Sequence, residues 1–178
     1  NMNYTLQQAK GTASSPSQAW SASQSGGLAE TYMIPLDWDQ MHTISMIASY
    51  SQPNYGISLI GTLGSGLPYT PASNTNISML IQNSEKKPFT SNFDIKSYYN
   101  FRLGDNSVQL YLNISNLFNH LNQSSVYNDS GVADYTTYAL DAQTQNTGEY
   151  VNSIEDWFRN ETFYSNPRRL EIGMRYDF

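Results

Sequence analysis

A chain of 178 residues is long enough for one ordinary domain, but its composition is lopsided, with 14 Tyr, 13% aromatic and only 13% charged residues. A net charge of -6 excludes a nucleic-acid surface, which needs clustered basic groups to displace counterions from phosphates. Zero cysteines exclude disulfides and thiolate metal sites, and no apolar run reaches the roughly 18 residues that a transmembrane helix requires.

In chain order, the first predicted strand lies near residues 2–10, where Met2, Tyr4 and Leu6 share one face. A polar stretch over 11–39 follows. The second strand, near 41–51, places Ile44, Met46, Ala48 and Tyr50 on one side, although Ile47 blurs the other. Gln52-Pro53-Asn54 is a tight turn into the third strand, near 55–64, with Tyr55, Ile57, Leu59 and Leu63 aligned and Ile60 opposed. A second polar stretch covers 65–87. The fourth strand, near 92–103, sets Phe93, Ile95, Tyr99, Phe101 and Leu103 against Asp94, Lys96, Tyr98, Asn100 and Arg102, with Ser97 breaking the apolar row. Gly104-Asp105-Asn106 turns tightly into the fifth, near 107–117, where Val108, Leu110, Leu112 and Ile114 alternate with Gln109, Tyr111, Asn113 and Ser115. After a third long stretch over 119–167, the last strand, near 168–178, has Leu170, Ile172, Met174, Tyr176 and Phe178 on one face. A helix would scatter each of these sets around its circumference.

Strands that alternate direction bring both tight turns to one end of the sheet and the three long connections to the other. That is the layout of an outer-membrane barrel, with short periplasmic turns and long external loops. A mean hydropathy of -0.53 is compatible with it, because such strands are apolar only at every second residue. Tyr4, Tyr50, Tyr55, Phe101, Tyr176 and Phe178 are expected as aromatics of the apolar face near the tight-turn border, where a girdle meets lipid headgroups. Leu170, Ile172 and Met174 are expected to face lipid. Within these alternating rows no Asp, Glu, Lys or Arg shares the apolar side: Asp94, Lys96, Arg102, Arg169, Glu171, Arg175 and Asp177 fall on the opposite face. The expected fold is therefore all-β, an antiparallel transmembrane β-barrel to which this chain contributes about six C-terminal strands.

Four motifs resemble the C-terminal region of TonB-dependent outer-membrane receptors, particularly those of Bacteroidota-type bacteria. Pro35-Leu36-Asp37-Trp38-Asp39-Gln40 with His42-Thr43 resembles their entry into a strand. Gly64-Ser65-Gly66-Leu67-Pro68-Tyr69-Thr70-Pro71 resembles the following exit into a loop. Asn113-Ile114-Ser115-Asn116-Leu117-Phe118-Asn119 resembles the end of the penultimate strand, and Asn166-Pro167-Arg168 with Gly173-Met174-Arg175-Tyr176-Asp177-Phe178 resembles the last. The resemblance implies a barrel of about 22 strands with an internal plug, driven by the TonB complex to import a scarce nutrient across the bacterial outer membrane. It also implies that Tyr176 and Phe178 signal to the outer-membrane assembly machinery. About 8 strands is the smallest membrane barrel, so the plug and remaining strands are expected upstream of Asn1 or on another chain. Membrane lipids, those strands and, by resemblance, a surface lipoprotein are the expected partners; no cofactor is implied.

Sites for chemistry are sparse. His42 and His120 lack any metal-ligand spacing, no Gly-x-Ser-x-Gly elbow occurs, and Gly61-Thr62-Leu63-Gly64-Ser65-Gly66 lacks the lysine of a phosphate loop, so no enzyme is expected. Asp37 with Asp39, and Asp129 with Asp134, could offer oxygens to calcium, but neither pair has graded ligand spacing, and strand-end hydrogen bonding is the simpler role. Asn3, Asn76, Asn113, Asn122, Asn128 and Asn160 fit the glycosylation pattern, as an Asn-rich chain does by chance. For an importer, Trp20, Tyr69, Tyr127, Tyr135, Tyr138 and Trp157 are the candidate substrate contacts, set against the simpler role of packing long loops together. Two competing functions share the pattern: a structural barrel that transports nothing, and a soluble sugar-binding β-sandwich with Tyr-rich loops.

Overall fold

The computed structural model describes residues 1–24, 33–72, 82–104, 106–138, 156 and 160–177. Trp157 and Phe178 lie outside the described residues, as does Asp105 of the second tight turn. The elements are β1 (Met2–Leu6), β2 (Lys10–Gly11), α1 (Pro16–Gln24), β3 (Ile34–Pro35), β4 (His42–Ser51), β5 (Tyr55–Gly64), β6 (Pro68–Tyr69), β7 (Glu85–Lys86), β8 (Thr90–Leu103), β9 (Asn106–Ser115) and β10 (Arg169–Asp177).

The chain is all-β and antiparallel. Its six-stranded sheet runs β1-β4-β5-β8-β9-β10, a meander in chain order, and is open: β1 and β10 each have a single neighbour among the described residues. Two small ribbons, β2 with β3 and β6 with β7, stand at the end of the sheet from which the long connections leave. At the other end, β4 turns into β5 with Gln52 N–H donating to Tyr55 O at 2.7 Å, and β8 turns into β9 through Gly104. Gly104 has a φ of 66°, a left-handed conformation open to glycine at no steric cost, which is the torsion that tight hairpin turns require.

Pairing in this register places every predicted apolar row on one face. Ala48, Leu59, Ile95, Ile114 and Leu170 are successive partners across the sheet, and Tyr50, Ile57, Ser97, Leu112 and Ile172 form the next row. Because side chains alternate with a period of two, a slip of one residue in any ladder would have moved that strand's apolar set to the other side. The opposite face carries rows such as Ser58, Lys96, Asn113 and Glu171.

No second sheet lies on either face among the described residues; the strands contact chiefly their ladder neighbours. The buried hydrophobic residues are Ile34, Val108, Val126 and Ala133, of which only Val108 belongs to the large sheet. Val108 is small and stands between Phe101 and Tyr176 as their ladder partner, which explains its burial on an otherwise open surface. The rest of that face is open, with Leu170 59%, Ile172 78% and Met174 67% exposed.

Three expectations need correction. The first strand ends at Leu6 rather than near residue 10, because after Gln7 the chain leaves the large sheet to pair Lys10 with Pro35. Tyr4 does not lie at the tight-turn border. β1 enters halfway along β4, with Met2 opposite Met46, so Tyr4 stands opposite Ile44 and bonds His42 at the loop end. The first long connection is not all loop: Pro16, whose fixed φ suits the first helical position, opens α1 there.

Candidate functional site

The broadest candidate site is the apolar face itself. It carries no Asp, Glu, Lys or Arg on any described strand position, while seven charged side chains of the same strands stand on the reverse. Its tight-turn border is aromatic. Tyr50 lies 6.1 Å from Tyr55 between ring centroids, Tyr55 is the ladder partner of Tyr99, and Tyr99 lies 6.3 Å from Phe101. Tyr176 completes the border from β10. The hydroxyls reach the turns: Gln52 Nε2 donates to Tyr50 Oη at 3.0 Å, and Asn106 Nδ2 donates to Tyr176 Oη at 2.5 Å. The rings of Tyr50 and Tyr176 thus stay on apolar surface while their polar tips sit among hydrophilic turn atoms, the arrangement suited to a phase boundary. Tyr99 was absent from the expected border; its pairing with Tyr55 places it there.

The loop end also brings aromatic rings into contact. Phe118 packs edge-on against Phe93 at 5.2 Å, Phe89 stacks on His120 at 5.6 Å, and Tyr4 stacks on His42 at 6.1 Å. Each contact joins residues far apart in the chain, so no local spacing announces it.

Above this border the connections are pinned by side chains of the quoted motifs. Asp39 is 2% exposed; its Oδ1 accepts from Ala9 N–H at 2.7 Å and its Oδ2 from Lys86 Nζ at 2.9 Å. Burial pushes the Asp39 carboxyl up, but these donors outweigh it and hold the group below its ordinary value. Asp37 accepts from Asn83 Nδ2 at 2.7 Å, and Gln40 Nε2 donates to Ser65 O at 2.9 Å. One short segment therefore ties the first connection to the second.

The third connection is stitched by asparagines. Asn116, 6% exposed with a φ of 52°, takes His120 N–H on its Oδ1 and gives its Nδ2 to His120 O and Asn166 O. Its own N–H donates to Asp94 Oδ1 at 2.9 Å. Asn122 bonds both the N–H and the C=O of Ser91, acting as one more backbone unit beside β8. Asn116→Ala is expected to cost about 4 kcal/mol, from roughly 1 kcal/mol for each of the three side-chain hydrogen bonds lost plus about 1 kcal/mol for the left-handed torsion. Asn116→Gly, which restores only the torsion, should recover about 1 kcal/mol in denaturant titrations.

Comparisons of the chain with family models, curated proteins and solved structures give no match. Its function must therefore be read from its own geometry.

Of the expected substrate contacts, Tyr69 and Tyr127 are brought to one knob of the third connection and used in packing. A methyl group at Gly131 would collide with the phenol of Tyr69, Ala72 N–H donates to Asn128 O at 2.7 Å, and Tyr127 packs on Phe163 at 5.1 Å. Burial, then the charges of Glu85 and Asp129, push the Tyr69 hydroxyl up. Tyr135 and Tyr138 are exposed on the same knob, and Trp20 is 67% exposed on α1. Asp129 Oδ2 accepts from both Thr136 and Thr137, while Asp134 is exposed, so these carboxylates do not converge. Among the described residues no three His, Asp or Glu side chains are grouped to hold a metal.

On the polar face, a groove of about 400 Å³ runs beside Ser58, Lys96, Tyr98, Gln109, Tyr111 and Asn113. A methyl group at Gly56 or Gly173 would overlap Tyr98 or Tyr111, respectively. The two phenols thus reach across the sheet, each occupying the space left by a neighbouring strand's glycine. Gly56→Val is expected to displace Tyr98 from Ser51, whose hydroxyl lies 3.0 Å from Tyr98 Oη; near-UV circular dichroism of the tyrosines should report it.

Proposed function

We propose that this chain forms the C-terminal wall of a TonB-dependent outer-membrane transporter that imports a nutrient. The observation that carries the reading is a continuous, uncharged apolar face left open on a single-layered sheet, backed by a polar face. Contiguous open apolar surface of this extent is rare on soluble monomers, and burying one large aliphatic side chain contributes about 2 kcal/mol.

Strand length supports a membrane span. β4, β5 and β9 have 10 residues each and β10 has 9, within the roughly 9 to 11 that a tilted membrane strand needs. On β8, the apolar row from Phe93 to Leu103 measures about 34 Å along the strand and about 26 Å at a 40° tilt, close to the apolar band of a barrel. A soluble sandwich would stack a second sheet on this face. The open edges of β1 and β10 call for further strands, since unpaired backbone groups are not sustained in hydrocarbon. The four motifs, which resemble TonB-dependent receptors, supply the transport assignment, and they are the residues that pin the external connections.

Zero native cysteines make a direct test simple. Single labels at Leu59→Cys, Leu112→Cys and Ile172→Cys should be quenched by brominated lipid. Labels at Ser58→Cys, Asn113→Cys and Glu171→Cys should be quenched by aqueous iodide. Loss of that alternation would refute the lipid-facing assignment. Import is distinguished from a purely structural barrel by photo-cross-linking from Lys96 in native envelopes. A plug-bearing polypeptide as the product supports transport, and its absence favours the structural barrel.

A further inference from the structure

Alternation forbids a slip of one residue between paired strands, but a slip of two keeps every side chain on its own face. In the β4–β5 and β8–β9 ladders a tight turn settles the choice, because a short loop admits one register. β5 and β8 are instead joined through residues 65–89, and β9 and β10 through 116–168, connections long enough to close on several registers at little difference in entropy.

These two ladders are where aromatic rings lie over glycines. Tyr98 is the ladder partner of Gly56, Phe93 of Gly61 and Tyr111 of Gly173, and a methyl group on each glycine would overlap its partner's ring. Three of the four glycines in the six-stranded sheet are covered in this way; the fourth, Gly64, faces Gln40 and Thr90. Gly56 and Gly61 are buried beneath their rings, and Gly173 is the one residue of β10 that is not exposed. A slip of two would set Tyr111 against Glu171 or Arg175 and leave Gly173 opposite Gln109 or Asn113. Between β5 and β8 the same slip breaks two joints at once, one on each face: Tyr98 would meet Asn54 or Ser58, and Phe93 would meet Leu59 or Leu63.

We infer that these three joints are register locks, which select the observed pairing from the alternatives two residues away in ladders that no tight turn closes. A ring laid flat needs the missing Cβ beneath it, and a strand glycine has no side chain of its own to pack, so only the native register satisfies both. The inference concerns strand pairing alone and holds whatever medium covers the apolar face.

The test uses the full chain in detergent micelles, with paired cysteines oxidised to disulfides. Leu112→Cys with Ile172→Cys reports the native register, and Leu112→Cys with Leu170→Cys or with Met174→Cys reports a slip of two. Direct partners have Cβ atoms about 5 Å apart and diagonal neighbours about 7 to 8 Å, so disulfide formation separates the registers. The native product should dominate. Tyr111→Ala should lower the ratio of native to slipped product about fivefold, the scale of one cross-strand pair. Gly173→Ala should lower it too, and adding Tyr111→Ala to Gly173→Ala should not lower it further. Tyr111→Phe, which keeps the ring, should leave the ratio unchanged, as should Leu110→Ala, which shortens a side chain of the same strand that covers no glycine. Should Tyr111→Ala fail to fold, Tyr111→Leu keeps apolar bulk without a flat ring and should shift the ratio in the same direction. A ratio unmoved in the folded Ala and Leu variants, or lowered equally by Tyr111→Phe or Leu110→Ala, overturns the lock.

Discussion

Ile172→Arg is expected to abolish insertion, while Asn113→Asp, one strand away on the reverse face, leaves it intact. Ile172 is 78% exposed and its row continues through Leu112, Ser97, Ile57 and Tyr50, so the guanidinium would have no acidic partner on that surface. In lipid an arginine near the midplane costs about 2 to 4 kcal/mol, a large fraction of a typical folding free energy of 5 to about 15 kcal/mol. Asn113 stands beside Lys96 and Glu171 on the polar face, where an added carboxylate gains one cation and opposes one anion. Heat-dependent mobility of the detergent-extracted protein reads both variants. Equal yields of the compact form would mean that the apolar row does not meet lipid.

Asp39→Ala is expected to loosen the long connections without unpairing the sheet. The carboxylate is 3% exposed and holds Ala9 N–H and Lys86 Nζ; removing it unpairs the half-buried Ala9 amide and takes from Lys86 its counter-charge, leaving it the Asp39 carbonyl at 2.8 Å. Breaking a fully buried pair costs about 3 to 5 kcal/mol, and the 39% exposure of Lys86 reduces this to about 2 to 3 kcal/mol. Hydrogen exchange should quicken at Ala9, Leu36 and Lys87, with β5 and β8 unchanged; uniform quickening would contradict a local latch. The same carboxylate sets an acid limit. Because its folded value lies below the ordinary one, its contribution is complete above the ordinary carboxylate range of about 4 and is lost as pH falls through the lowered folded value. Loop protection should therefore decline below about pH 4, and Asp39→Asn should flatten that decline.

Most of the sheet was legible in the residues. β5 spans Tyr55–Gly64 as its alternation predicts; β4 and β8 end where expected and start within two residues of it, β9 lies within two residues at both ends, and β10 starts one residue late. β1 was misjudged because its weak alternation gave no sign of where pairing stops. Only the ladder to β4 shows that it begins opposite Met46, which moves Tyr4 to the loop end. The connections were the least legible part. Their order comes from hydrogen bonds such as Asn116 to Asn166 and Lys86 to Asp39, made between residues 50 and 47 positions apart, which no local periodicity records.

What the chain's own residues determined is which side of each strand is apolar, since a period of two is set by the backbone and survives in any sheet. Tertiary structure alone decided that those sides coincide across six strands, that nothing in the described chain covers them, and that Tyr98 and Tyr111 lie over Gly56 and Gly173. The physical reason is register: alternation is a property of one strand, whereas a common face and the packing on its reverse exist only once pairing fixes which residues stand side by side.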